Sequence, residues 1–85
     1  MKKMYSLQME SNSYADDFYI CHNAFDMFHY CVDHNIFVDG LKNRIALVSI
    51  DRDGCVDLVH ELYRLDYSFD PFCCLIPVNY DGTDM

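Results

Sequence analysis

Residues 45–60 read IALVSIDRDGCVDLVH, and the way this stretch pairs decides the fold. Ile45 to Ile50 is rich in β-branched and apolar side chains, the composition of a strand. Asp51-Arg52-Asp53-Gly54 interrupts it, and Gly54 is placed to supply the left-handed residue of a type I turn with a G1 bulge. That turn sets Ile50 opposite Val56, Val48 opposite Leu58 and Ala46 opposite His60. All three pairs then point to one face, which is expected to be the core side. Leu58, Val59, Leu62 and Leu65 also fit helical spacing, so a helix from Cys55 to Leu65 is the alternative. Agreement between turn chemistry and pairing favours the hairpin, over about 44–63.

Working upstream, residues 36–43 form a turn-rich connection in which Asp39-Gly40 favours a tight turn. Before it lies a long helical pattern. Phe18, Cys21, Phe25, Phe28 and Val32 recur at steps of three and four and share one stripe, which Tyr14 extends by a turn. Ser13 with Asp16 resembles a capping box, and Asn35 suits the left-handed position after the last turn. The expected helix is therefore 14–34. Ile20, Ala24, Met27 and Cys31 form a second apolar zone, readable either as a wider core face or as an interface. Between the zones runs a ridge of Asp16, Tyr19, Asn23, Asp26, Tyr30 and Asp33, expected to face solvent. Earlier still, residues 4–10 alternate with period two, a half-buried strand.

Downstream, Pro71 opens a strand at about 72–79, and Pro77 confines it to a sheet edge because proline cannot donate to a ladder. Residues 81–85 are expected to fray. The expected fold is α+β in the order β-α-β-β-β: a single long helix packed on a three- to four-stranded, largely antiparallel sheet, in one domain of residues 1–85.

The chain has 85 residues, of which 52% are apolar, with seven Tyr and six Phe. That supports a core and argues against disorder. Fourteen carboxylates face six Lys and Arg, a net charge of −8. Such a field repels nucleic acid and anionic membrane and favours a basic partner. Twelve of the acids are Asp, a turn and cap residue, so part of the charge reflects turn chemistry. No apolar run has signal-peptide or membrane-span length. The five Cys are odd in number and irregularly spaced, which points to reduced thiols and a cytoplasmic setting. Cys21, Cys31, Cys55 and Cys74 are expected to act as small buried hydrophobes.

His22, Asp26, His29 and Asp33 share a helical stripe but span too much axis to meet at one ion. Asp51-x-Asp53-Gly54 lacks the later positions of a calcium loop. No phosphate-cradling Gly loop is present. No metal, cofactor or catalytic residue is expected, and the chain is read as a binding protein rather than an enzyme.

Three uses follow. The first is stoichiometric association with a partner protein, or homodimerisation, through an apolar surface at Ile20, Met27 and Cys31 or along the edge strand after Pro71. The second is an inhibitor of phage or mobile-element type, anti-CRISPR or anti-nuclease in class. It would imitate a nucleic-acid backbone and block a basic channel without touching nucleic acid itself. Its contacts would be Asp16, Tyr19, Asp26, Tyr30 and Asp33, with Asp51, Asp53 and Asp57 on the hairpin. The third is a small His/Cys metal protein or enzyme.

Overall fold

The computed structural model describes residues 2–9, 19–67 and 75–85. The elements are β1 (Lys2–Met9), β2 (Ile20–Cys21), α1 (Ala24–Asp33), β3 (Asn43–Ile50), β4 (Val56–Leu65) and β5 (Leu75–Val78). The strands form one antiparallel sheet in the order β2-β1-β3-β4-β5. The α+β class stands; the described residues form five strands in place of three or four and a short helix in place of a long one.

The turn between β3 and β4 forms as its residues require. Gly54 has φ +82°. Its N–H donates to Asp51 O, and Asp51 N–H donates to Cys55 O, which closes the turn on the G1 bulge. Asp51 Oδ1 accepts from the N–H groups of Asp53 and Cys55, both at 2.9 Å. Ile50 consequently pairs with Val56. Further along, two bulges shift the register, so Val48 faces Val59 rather than Leu58, and Ala46 faces Leu62 rather than His60. A bulge adds a residue to one strand only, so every pair beyond it moves. The expected single core face on β4 is lost as a result: Val56, Leu58 and Val59 are exposed.

The helix starts ten residues later than its apolar spacing suggests. Asn23 is its N-cap, with extended backbone (φ −144°, ψ 160°) and a side-chain oxygen that accepts from Asp26 N–H at 2.8 Å. Just upstream, Ile20 and Cys21 pair with Ser6 and Tyr5, and Tyr19 O accepts from Leu7 N–H. Sheet pairing holds 19–21 extended, so the described part of the periodicity, Cys21 to Val32, joins a strand to a helix. The proposed cap at Ser13 and Asp16 lies outside the described residues. At the other end, Asn35 takes the left-handed conformation (φ 54°), while Ile36 N–H bonds Cys31 O and Asn35 N–H bonds Val32 O. This is a Schellman closure, as Asn35 foretells.

Met27 and Cys31, one turn apart on α1, are fully buried with Leu7, Cys21, Val38, Ile45 and Leu65. The expected core stripe is the outer one: Phe25 and Val32 are exposed and Phe28 is only partly buried. By register, Leu7 and Ile45 lie on the sheet face toward α1, and Ser6, Ala46 and Val48 lie on the opposite face. Those three are also buried, so β3 has little solvent on either side.

The C-terminal residues are ordered. Asn79 N–H bonds Thr83 O, Asp84 bridges to Val78, and Arg64 grips Asp84 with Nε and a terminal nitrogen at 2.7 and 2.8 Å. Gly82 (φ +91°) is buried against Leu41 and Gly40, where a Cβ would meet the Leu41 side chain and sit 2.7 Å from Gly40 O.

Candidate protein-interaction surface

β4 pairs with β3 along its length, but with β5 only from Leu62 to Leu65. Among the described residues, no strand borders its other side over 56–61. All six of those residues are exposed, including Val56 (43%), Leu58 (54%) and Val59 (43%). These fractions matter because the apolar residues of an antiparallel strand ordinarily gather on one buried face. Here they leave surface unspent. The molecule measures 37 × 25 × 23 Å.

The arm formed by the β3–β4 hairpin is also acidic. Asp51, Asp53, Asp57 and Glu61 lie along its turn and β4, with Arg52 among them, and each of these is exposed. Lys2 and Lys3 pair with Ile50 and Ser49 on the far side of β3. His60 Nε2 and Ser49 Oγ are hydrogen-bonded at 2.5 Å across the bulge, which gives the buried serine a partner. Tyr63 OH donates to the Glu61 carboxylate. Beside the arm lies a groove of about 830 Å³, whose lining includes Val59, Leu62, Val78 and Tyr80 together with Lys42 and Arg44. Arg44 is held there by donating to Tyr80 O and Leu41 O at 2.9 and 3.2 Å.

The residues expected to carry function are divided by the fold. Asp16 lies outside the described residues. Tyr19 is half-buried and stacks on Tyr30, with ring centroids 3.8 Å apart and planes 4° apart; Tyr30 stacks in turn on His34. Both tyrosines pack against the core, so they are not a free ridge. Asp26 and Asp33 are exposed, but Asp26 holds the capping residue in place by accepting from the Asn23 side-chain amide. α1 packs mainly over β1 and β2, whereas Asp51, Asp53 and Asp57 lie at the turn end of the β3–β4 hairpin. The apolar interface of Ile20, Met27 and Cys31 is corrected. Met27 and Cys31 are wholly buried and Ile20 is half-buried in β2, because this side of the helix faces the sheet. The edge of β5 is partly covered by the chain itself: Met85 N–H reaches Pro77 O and Val78 bridges to Asp84.

Many of the carboxylates work within the fold. Asp39 Oδ1 accepts from the N–H groups of Leu41 and Lys42, and Asp81 Oδ1 from the hydroxyl and N–H of Thr83. The bond from Lys42 N–H foremost holds Asp39 below the ordinary carboxylate value; the Thr83 hydroxyl does so for Asp81, and Arg64 for Asp84. Asp39 and Asp51 flank opposite ends of β3, whose eight residues span roughly 25 Å.

Cys21 and Cys31 are buried, and burial raises the Cys21 thiol above its ordinary value. Cys55 is exposed in the hairpin turn, against expectation, because the turn directs it away from the core. Cys74 lies outside the described residues. His22 precedes α1, so it does not share a helical stripe with Asp26, and His29 sets its ring edgewise to Phe25 at 4.3 Å. Among the described residues, no three His, Cys, Asp or Glu side chains come together as metal ligands, and no helix is long and apolar enough to cross a membrane.

Sequence reasoning missed Val56, Leu58, Val59 and the Ser49–His60 pair. The available signal was that Leu58 and Val59 are adjacent, so a strand must turn them to opposite faces. Comparison of the chain with family models, curated proteins and solved structures finds no match.

Proposed function

We propose that this chain is a protein-binding domain that acts by stoichiometric association, and that the β3–β4 arm is its contact surface. One observation carries the reading: six consecutive residues of β4 are exposed, three of them apolar, beside a sheet edge that no described strand occupies. Burying the exposed part of Val56, Leu58 and Val59 in a complex would contribute about 1 kcal/mol each. The four acids alongside them select a partner with basic groups at its rim.

A backbone-mimic inhibitor needs a continuous acidic face, and the separation of Asp39 from Asp51, with both engaged in turns, gives that reading less support.

The test is affinity capture with stepwise salt elution, using the native chain and folded variants. Leu58→Lys and Val59→Lys should lose the captured protein, whereas Phe25→Lys on the outer face of α1 should keep it. Retention by both arm variants and loss by Phe25→Lys would refute the assignment.

A further inference from the structure

We infer that the partner engaged by the arm supplies an extended segment that adds as a sixth strand beside Val56–Glu61, seating an apolar side chain in the adjoining groove. The inference rests on the arm being the contact surface. β5 stops pairing at Val78, and Asn79 begins a turn closed by Gly82 N–H on Asn79 O. The chain leaves the sheet there while β4 continues for six residues more. The lane beside 56–61, which no described strand occupies, is thus in line with β5. An edge of this kind is a template for strand addition, with main-chain hydrogen bonds giving affinity and side-chain pockets giving specificity.

The register states which side chains the segment needs. Val59 and Leu62 lie opposite Val48 and Ala46 on one face; Leu58 and Glu61 lie opposite Ser49 and Leu47 on the other. Val59 and Leu62 also line the groove, whose volume would hold a large side chain. Its lining is mainly apolar, with Leu41, Val59, Leu62 and Val78 around Lys42 and Arg44, so the residue entering it is apolar. Glu61, which pairs with Leu47 and also borders the groove, attracts a basic residue beside it. The segment therefore alternates apolar and basic side chains. A second copy of this chain fits poorly, since it would bring its own charge of −8 to an edge that is already acidic.

The probe is a synthetic octapeptide alternating valine and lysine. Its controls are the valine–glutamate counterpart and two versions N-methylated at every second amide, one in each phase. Binding and residue-resolved amide exchange are measured together. The valine–lysine peptide should slow exchange at outward amides of Val56–Glu61, bind about tenfold more tightly than the glutamate peptide, and lose about tenfold in one N-methylated phase only. If it perturbs the arm but both methylated versions bind equally well, strand addition is overturned while the arm survives as a side-chain contact surface. If no peptide perturbs the arm, the strand-addition inference is likewise overturned, and capture by the Leu58 and Val59 variants then decides the arm separately. Slow exchange at 56–61 in the free protein, together with concentration-dependent sedimentation, would make the occupant a second copy and overturn the stated chemistry.

Discussion

Leu58 and Met27 are both large apolar residues, and the structure assigns them opposite tasks. Leu58 is 54% exposed on the arm; Met27 is 0% exposed between α1 and the sheet. Fully burying a leucine stabilises by about 1.5–3 kcal/mol, so the roughly half that the fold covers contributes about 1 kcal/mol. Leu58→Thr keeps β propensity and should cost no more than about 1 kcal/mol. Met27→Ala removes a filled core position and should cost about 2–5 kcal/mol. In a domain of this size each kcal/mol moves the midpoint by about 4–8 °C. Leu58→Thr should therefore melt within about 8 °C of the native chain and Met27→Ala at least about 8 °C below it. Urea and thermal unfolding followed by circular dichroism and tyrosine fluorescence would measure both, the chain having seven Tyr and no Trp. Equal destabilisation by the two substitutions would mean that the fold uses Leu58 fully, and the case for an unspent surface on β4 would fail.

The thiols should separate by burial: a pulse of iodoacetamide on the native chain should label Cys55 well ahead of Cys21 and Cys31, and peptide mass spectrometry reads the order. Gly82→Ala should lower stability by about 1–2 kcal/mol or more, because it places a Cβ at positive φ and against Leu41 and Gly40 O; an unchanged urea midpoint would contradict the close approach of the two loops. Asp39, Asp81 and Asp84 have folded pKa values below their unfolded ones, so in acid the unfolded chain binds more protons and these groups lose their stabilising effect. The urea midpoint should fall as pH drops below about 4, and by less in Asp84→Asn, which has no carboxylate there to protonate.

Local chemistry was legible. Asp51 and Gly54 specify their turn through bonds that close within five residues, and Asn35 ends the helix by its own tolerance of positive φ. The first pair beyond the turn, Ile50 with Val56, was readable for the same reason. The start of α1 was not. Tyr19 to Cys21 fit helical spacing as well as strand spacing, and the choice was made by Tyr5, Ser6 and Leu7, twelve to sixteen residues away. Nor could periodicity say which of two apolar stripes on α1 faces the sheet. Met27 and Cys31 won that position, leaving Phe25 and Val32 outside.

By itself, then, the amino-acid order determined the class of the domain, its acidity, its turns and the end of its helix, because each depends on composition or on neighbours along the chain. Tertiary structure alone decided where β4 loses its neighbour and which apolar residues remain on the surface. Those outcomes depend on how far β5 extends and where bulges fall, and both are set by pairing between distant strands. The candidate site is a consequence of that pairing, which is why no motif announces it.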